Sequence, residues 1–380
     1  MRRVLSLFAL LALVLVAQVP AGAVGSDLPR STASFNADVR KIAYDGDVLY
    51  AGGMFTRAQD VDGEFEQRHY LAAVDSTSGE LLPFAPQLDG KVYDVVTDDD
   101  YLYVSGDFRY IGETHMPRVA RFHLESGQLD PSWKPNPSAT VFAIEPVGDR
   151  VFLGGRFASV GGTASRHLAA VSAATGEPIA SFSPSIRDGS VRDIEHGHGR
   201  LYVSGGFSYV ENDKRYGKFA ALDAGTGALD RSFDPQIFVL TRQIAVDGDR
   251  VYAALDGRGG EVRAFDRDGD TLWYQAVDGG MQAVSVWNGT IVAGGHFDKA
   301  CTTTKSGPRG ECVDGVLADR GKLLAVDAHG NLLPWHPDAN GVIGVWDLEA
   351  HPQGANLAAG GSFTTFGGGA AEQKRLAVFD

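Results

Sequence analysis

The sequence predicts an all-β protein, a seven-bladed β-propeller built of four-stranded antiparallel blades. Three observations predict it: one phrase of about 50 residues returns along the chain, glycine is abundant, and no segment after residue 23 has a helical period. The 48 glycines among 380 residues indicate many tight turns or close backbone contacts. Because a ring of repeats is one cooperative unit at any length, we expect a single domain over residues 24–380.

The repeated phrase reads V-x-x-I, a polar turn, L-Y-V-x-G-G-x-F, a variable loop, L-A-A-V-D, a turn with Thr-Gly, and F-x-P. Val39 precedes Phe55 by 16 residues, and four more repeats keep this spacing. The fifth repeat lacks Gly-Gly-x-Phe, and the last has an insertion around residues 351–354. The Phe anchors are Phe55, Phe108, Phe157, Phe207, Phe297 and Phe363. The predicted blades start near residues 39, 92, 141, 191, 241, 281 and 343.

Each repeat encodes four short strands, because its apolar residues alternate and are rich in β-branched and aromatic types. The first hairpin turns on pairs such as Asp45-Gly46, which match the twist of antiparallel strands. The chain stops at Asp380, after the third strand of the last repeat, and residues 28–38 resemble the missing fourth strand. We therefore expect the N-terminal strand to pair with the C-terminal blade and to close the ring, which removes exposed sheet edges.

The phrase G-G-x-F followed by L-A-x-x-D resembles the delta-60 repeat β-propellers, a family of secreted bacterial proteins. The resemblance covers nearly all of residues 35–380. It implies the propeller fold and a place outside the cell, and it implies no activity. The Asp-x-x-Thr-Gly turn, as at residues 223–227, also resembles the blade motif of quinoprotein dehydrogenases. There the motif is a packing device, so it does not imply a quinone.

The N-terminus has the pattern of a secretion signal over residues 1–23. Arg2 and Arg3 precede an apolar core, and Ala21-Gly22-Ala23 form a small-residue cleavage site. The apolar core is shorter than the ~20 residues that span a membrane, although an uncleaved anchor is the alternative. No second apolar span occurs. We expect a secreted or cell-surface protein, with the Sec and twin-arginine routes both open.

The net charge and the cysteines restrict the classes of ligand that the sequence allows. The formal net charge is −14, and it becomes more negative without the signal, which argues against binding a nucleic-acid backbone. The only cysteines, Cys301 and Cys312, lie in one polar loop. In a secreted chain this predicts a disulfide. The alternative, a metal pair, lacks nearby His or Cys ligands.

One face of the predicted propeller carries the variable loops. The loop between strands two and three lies on the same side as the connection to the next blade, and these loops differ in length. Such loops on a regular scaffold often carry recognition, although neutral drift would also vary them. A basic or imidazole residue precedes strand three in most repeats, and Tyr110 and Tyr209 follow the Phe at equivalent positions. The candidate ligand-binding residues are Arg118, Arg166, His167, Lys218, Lys322, Arg375, Tyr110 and Tyr209.

The opposite side, which carries the hairpins, is rich in Asp. The disc therefore has a predicted charge polarity, with a more cationic variable face that could attract cell-wall polymers, uronic acids or other carboxylates. Two alternatives stay open. Each cation could pair with a neighbouring carboxylate, and the tyrosines could cover the blade rim.

The sequence offers no catalytic or metal signature. His196-Gly197-His198 is the only close histidine pair, and it lacks further converging ligands. Residues 266–270 lack the spacing of a calcium loop. There is no G-x-S-x-G, H-E-x-x-H or phosphate loop. We therefore expect no metal, no cofactor and no catalytic residue.

We expect a monomeric, non-enzymatic binding or scaffold module outside the cell, whose partner is an anionic glycan or a protein and not a nucleic acid. The alternative is an enzyme on the same scaffold, either a quinone-dependent dehydrogenase or a carbohydrate-active hydrolase or lyase. It would need His or carboxylate groups from three or more blades to meet at the axis. A structural repeat with a smooth, pocket-free face is a third alternative.

Overall fold

The computed structural model describes residues 24–257, 259–303, 312–313 and 315–380. The predicted signal and most of the segment between the two cysteines lie outside the described residues. Within them the only helical segments are two 3-10 turns, Lys214–Tyr216 and Gly367–Gly369. No helix of this part is long and apolar enough to cross a membrane. The prediction of an all-β protein is confirmed.

Seven sheets among the described residues repeat one strand order, in which a central second strand pairs antiparallel with the first and the third. We number the repeats 1 to 7 along the chain. Their strands are Val39–Asp45, Val48–Gly53 and Leu71–Asp75; Val92–Thr97, Tyr101–Gly106 and Val119–His123; Val141–Val147, Arg150–Gly155 and Leu168–Ser172; Val191–Gly197, Arg200–Gly205 and Phe219–Asp223; Leu240–Asp247, Arg250–Asp256, Glu261–Phe265 and Thr271–Ala276; Gly280–Trp287, Thr290–His296 and Leu323–Val326; Val345–Ala350, Leu357–Gly361 and Leu376–Phe379.

The loops on one side of these sheets contain short strands of two or three residues. They pair with one another or with the connection from the preceding repeat. They are Ser34–Phe35, Arg57–Gln59, Phe65–Gln67, Tyr110–Ile111, Thr114–His115, Ser159–Val160, Thr163–Ala164, Ile186–Arg187, Tyr209–Val210, Lys299–Cys301, Leu317–Asp319, Thr365–Phe366 and Ala371–Glu372.

The fourth strand departs from the prediction. Only repeat 5 has a full one, Thr271–Ala276, in the described part of the chain. In repeats 1 to 4 and 6 the fourth position shrinks to one isolated bridge to the third strand, as between Val74 and Leu81. Five repeats place Pro two residues after their aromatic residue, as in Phe84-Ala85-Pro86, whereas repeat 5 continues Trp273-Tyr274-Gln275. Proline donates no ladder hydrogen bond, so it ends the strand there.

Every first strand contains a bulge after its first or second residue. In repeat 1, Val39 pairs with Gly53 and Lys41 with Gly52, so Arg40 is the extra residue. The same shift recurs in the other six first strands. In repeat 7 it follows Val345, so Val345 is the counterpart of Val39, and the predicted start at Ile343 is two residues early. A bulge bends the strand and re-aims the extra side chain.

The first strands contact one another in chain order, and the last, Val345–Ala350, contacts the first, Val39–Asp45. Glycine sets the distance between neighbouring sheets. A Cβ on Gly52 would lie 2.5 Å from Cγ1 of Val92, and a Cβ on Gly360 would lie 2.8 Å from Cγ1 of Val39. The first glycine of the Gly-Gly pair thus lets the next repeat pack onto its backbone. At the chain ends, the Arg30 amide donates to the Val378 carbonyl at 2.9 Å.

Candidate functional site

All seven first strands line one central cavity with a volume of about 460 Å³. Its lining carries carboxyl groups from repeats 2, 3, 4, 5 and 7. Its only described lysine or arginine is Lys41. The acidic residues of the central cluster are Asp94, Glu145, Asp193, Glu195, Asp347 and Glu349.

The aspartates of this cluster join neighbouring first strands. The Ile144 amide donates to Asp94, and the Ile244 amide donates to Asp193, each at 2.7 Å. The Ile42 amide donates to Asp347 at 2.8 Å and so links the last repeat to the first. Each carboxylate occupies the third position of its repeat and bonds the fourth position of the next. These contacts give the aspartates a structural role.

Lys41 balances part of the negative charge. Its Nζ lies 3.2 Å from Oδ1 of Asp347 and 3.8 Å from Oδ1 of Asp193. Gln243 donates from Nε2 to the same Asp347 oxygen at 2.7 Å and accepts from the Val284 amide at 3.0 Å. Burial acts to lower the pKa of Lys41, but these carboxylates outweigh it and raise that pKa well above its usual value. Lys41, Gln243 and these carboxylates therefore form one network of ion pairs and hydrogen bonds across the centre.

Burial raises the pKa values of the acidic groups in the cavity. It raises the pKa of Asp94 to about 7 and that of Asp193 to about 6, although Lys41 opposes both shifts. The pKa values of Glu145 and Glu349 rise to about 8 by burial, with added repulsion from neighbouring aspartates. Burial likewise raises the pKa of Glu195 well above its usual range. Several of these groups therefore hold protons near neutral pH.

The seven bulged residues form a second layer, which we call the mouth. They lie at the start of the first strands, where the connection from the preceding repeat arrives, and hence at the same end as the variable loops. Six of them are half-buried and one is buried. The mouth residues are Arg40, Tyr93, Phe142, Arg192, Arg242, Gln282 and Trp346.

Two mouth arginines are paired with acids. The guanidinium carbon of Arg40 lies 3.7 Å from the centroid of the Trp346 ring. Its Nη2 lies 3.7 Å from Asp38, which also accepts from the Trp346 indole N–H at 3.1 Å. Arg242 donates from Nε to Asp256 at 2.8 Å. The charges of Arg40 and Arg242 are thus balanced within the protein.

Tyr93 is held by a neighbouring carboxylate. Its hydroxyl donates to Oδ2 of Asp107 at 2.8 Å, and the Thr140 hydroxyl donates to Oδ1 of the same group at 2.8 Å. The Tyr93 and Phe142 rings meet edge to face with centroids 5.4 Å apart. These contacts fix the aromatic side of the mouth.

The remaining mouth arginine, Arg192, has no acidic partner among the described residues. The guanidinium carbons of half-buried Arg192 and exposed Arg156 lie 4.9 and 5.5 Å from the centroid of Phe142. Neither guanidinium makes a hydrogen bond or ion pair with the part of the chain that the structure describes. Burial lowers the pKa of Arg192, and repulsion from Arg242 and Arg156 lowers it further. The mouth therefore holds an unbalanced pair of positive charges around one aromatic ring.

The residues that precede strand three adopt a shared left-handed conformation. The φ angles of Arg118, His167, Lys218, Lys322 and Arg375 lie between 68° and 77°. In repeat 1 this conformation belongs to Tyr70 (φ 68°), so an aromatic residue takes the place of the basic or imidazole residue there.

Four of these side chains bind the backbone that forms the wall of the mouth. The Lys218 ammonium donates to the Gly206 carbonyl at 2.8 Å, and Nδ1 of His167 lies 3.3 Å from the Gly155 carbonyl. Arg118 and Arg375 donate in the same way to the carbonyls of Asp107 and Ser362. Each acceptor lies in the Gly-Gly-x-Phe segment. Their polar groups are thus engaged in holding the mouth wall.

The other candidates lie farther out. Lys322 is paired with Asp298 at 2.6 Å, and Arg166 is exposed. Tyr110 is exposed and its ring lies 5.0 Å from that of His115. Tyr209 is half-buried and pairs with Arg187. Arg375 also lies 3.6 Å from Asp38 and so touches the mouth network, but the structure does not gather the eight candidates into one site. A role for them in ligand binding stays a prediction.

Sequence reasoning missed the mouth. Its signal is the second position of the V-x-x-I phrase, which carries a long cationic or an aromatic side chain in six repeats and Gln282 in repeat 6. That position varies, and an unbulged strand would not be expected to aim it at the centre. The predicted disulfide between Cys301 and Cys312 is confirmed. His196 and His198 do lie at the first hairpin of repeat 4, and no group of metal-ligating residues occurs in the described ranges.

Comparison with known proteins supports the fold. A family model described as outer membrane protein assembly factor BamB matches residues 163–336. No curated protein matches the chain. The crystal structure of the computationally designed Ika8 protein has a TM-score of 0.54 at 12% identity, covering 93% of this chain and 99% of its own. The WD40 β-propeller domain of Doa1 has a TM-score of 0.55 at 13% identity, covering 93% and 96%. At these identities the likeness shows a β-propeller fold alone.

Proposed function

We propose that this chain is a secreted propeller that binds an anionic ligand at the mouth and catalyses no reaction. The unbalanced pair of Arg156 and Arg192 around Phe142 carries the proposal. The arginines lie at the end of the molecule that also bears the variable loops. The ligand we favour is an anionic glycan, because the mouth adds partly exposed aromatic rings to its positive charge.

A closed ring of seven blades is part of this proposal. The order of contacts between first strands supports it, since Val345–Ala350 lies against Val39–Asp45. The packing of Val39 on Gly360 supports it as well. The isolated bridge between Arg30 and Val378 supports a role of the N-terminal segment as the fourth strand of the last blade. Closure would bring the seven mouth residues around one axis.

A location outside the cytoplasm rests on three observations. Residues 1–23 read as a secretion signal, and the disulfide suits an oxidising compartment. The matching family model bears the name of an outer membrane protein assembly factor, which suits a protein of the cell envelope. The Gly-Gly-x-Phe phrase keeps the delta-60 repeat propellers as the proposed family.

A bound carboxylate would balance the positive charges of Arg156 and Arg192. A guanidinium can bind a carboxylate through two parallel hydrogen bonds, and Arg156 and Arg192 have no such partner of their own. A hydrogen bond to a charged group contributes about 1.5–3 kcal/mol. Loss of both arginines should therefore weaken binding by at least ~10-fold, since ~1.4 kcal/mol corresponds to that factor.

The test is a binding screen of residues 24–380 against acidic and neutral polysaccharides at low and high salt. We expect binding of acidic polymers that weakens with salt and drops at least ~10-fold in the double variant Arg156→Gln/Arg192→Gln. Arg267→Gln is the matched control, because Arg267 forms an exposed pair with Asp249 in the hairpins of repeat 5. Binding that the double variant leaves intact would refute the mouth as the site. Capture of a protein and of no glycan would replace the proposed partner.

A second candidate function rests on the central cluster. Carboxyl groups of five repeats line one cavity, and burial raises the pKa values of Glu145 and Glu349 to about 8. A protonated carboxyl beside an ionised one is the arrangement that glycosidases use. Release of reducing ends from an acidic polysaccharide, lost in Glu349→Gln, would establish such an activity. Intact polymer after prolonged incubation would leave binding as the function.

A further inference from the structure

Gln282 stands apart from the other mouth residues. It is the bulged residue of repeat 6, only 6% of its surface is exposed, and its Oε1 is buried without a hydrogen-bond partner among the described residues. Arg40, Tyr93, Arg242 and Trp346, in contrast, each bond or pair with a carboxylate. The mouth thus contains one buried, unsatisfied acceptor as well as unsatisfied cationic donors.

An acceptor in this state is costly. A buried polar group without a hydrogen-bond partner destabilises the free protein, because it has lost its hydrogen bonds to water. The strand that carries Gln282 contacts the strands of Arg242 and Trp346, so the acceptor lies between a cation and an aromatic ring in the order of the mouth. A ligand that brings a hydrogen-bond donor to this position would remove the cost on binding.

We propose that the mouth recognises a sugar acid, whose carboxylate binds Arg156 and Arg192 and whose hydroxyl donates to Oε1 of Gln282. This inference rests on the proposed function and narrows its ligand class. An ionised carboxylate, sulfate ester or acidic protein side chain offers acceptors only, so it would satisfy the arginines and leave Oε1 of Gln282 unpaired. A uronic acid offers the carboxylate and hydroxyl donors on one ring.

The mouth should prefer a sugar acid to a polyanion that lacks hydroxyl groups, because only the sugar acid can bond both the arginines and Gln282. A polyanion without hydroxyl groups gains the charge-assisted contacts but leaves the Gln282 oxygen buried and unpaired. A site that is built to bond a hydroxyl rejects the analogue that lacks it. We expect the protein to bind an oligouronide at least ~10-fold more tightly than a polyacrylate of matched length and charge, which corresponds to ~1.4 kcal/mol.

The experiment is calorimetric titration of residues 24–380 with an oligogalacturonate and with a polyacrylate of matched length. Gln282→Met keeps the size of the side chain and removes the acceptor. We expect this variant to bind both polymers with similar affinity, near the wild-type affinity for polyacrylate. Gln128→Met makes the same change at an exposed site in the second hairpin of repeat 2, and it should keep the preference for the oligouronide.

A preference that persists in Gln282→Met, or no preference in the wild-type protein, would overturn the inference. If Gln282→Met does not fold, Gln282→Asn provides the second variant, because it withdraws the acceptor while staying polar, and it should lose the same preference. Failure of the proposed function gives a different result. In that case neither polymer binds, or both polymers bind the Arg156→Gln/Arg192→Gln variant as tightly as they bind the wild-type protein.

Discussion

At the scale of single residues, the centre of the molecule is divided between two charge environments. Lys41 and the buried aspartates tie neighbouring strands together. One layer away, Arg192 has a lowered pKa and forms no ion pair with the part of the chain that the structure describes. Lys41 and the buried aspartates find their ion-pair and hydrogen-bond partners within the described residues, whereas the guanidinium of Arg192 does not. This difference is why we assign structure to the central cluster and ligand binding to the mouth.

Lys41→Met tests the structural assignment. The change removes the cation that faces Asp193 and Asp347, so two buried carboxyl groups lose their partner. Breaking a buried pair from one side costs about 3–5 kcal/mol. We expect a fall of that order in the free energy of unfolding, measured with denaturant. Lys299→Met, which breaks the exposed pair with Asp319, should cost at most ~1 kcal/mol.

The residues before strand three show which contacts of the predicted ligand-binding candidates the sequence does not reveal. Arg118, Lys218 and Arg375 look like free cations in a variable loop. Each instead takes a left-handed backbone conformation, which turns its head onto a carbonyl of the mouth wall. A non-glycine residue with positive φ is rare, and composition gives no sign of it.

At the scale of the strand and turn, the sequence predicted the first three strands of each repeat, because alternating apolar residues and Asp-Gly turns mark them directly. It failed at the fourth strand, where proline removes the ladder donor. It also failed at the bulge, which no glycine marks in the first strands. Arg40 and its six counterparts therefore went unnoticed, and with them the mouth. The contacts that decide a bulge come from the neighbouring strand, which single-chain patterns do not reveal.

Substitution at Gly360 tests how the last repeat meets the first. An added Cβ would lie 2.8 Å from Cγ1 of Val39, so one of the two sheets must shift. Overpacking of this kind costs about 1–3 kcal/mol, and we expect Gly360→Ala to lower the thermal midpoint. Gly225→Ala is the control, since its nearest neighbour is the Asp223 side chain at 3.3 Å. Equal midpoints for the two variants would argue against this packing.

At the scale of the whole molecule, the central cluster couples stability to pH. The folded pKa values of Asp94, Glu145 and Glu349 reach about 7 to 8, whereas these groups titrate near ~4 when unfolded. Between these limits the folded chain binds more protons than the unfolded chain. The contribution of these groups to the free energy of unfolding therefore falls as pH rises through this window.

Thermal unfolding between pH 6.5 and 9 tests this coupling. Burial lowers the pKa values of His167 and His196, so the titration of these two histidines adds little slope in that range. We expect the midpoint to fall as pH rises through 7 and 8. The double variant Glu145→Gln/Glu349→Gln should show a shallower fall. A midpoint that rises over this range would contradict the raised pKa values.

The central claim is that an acidic sugar occupies the mouth, and a crystal structure of residues 24–380 with an oligogalacturonate tests it most directly. We expect a carboxylate within hydrogen-bond distance of both Arg156 and Arg192, and a sugar hydroxyl within hydrogen-bond distance of Oε1 of Gln282. An oligosaccharide seated on the outer loops, against Tyr110 and Arg166 and away from Arg192, would contradict it.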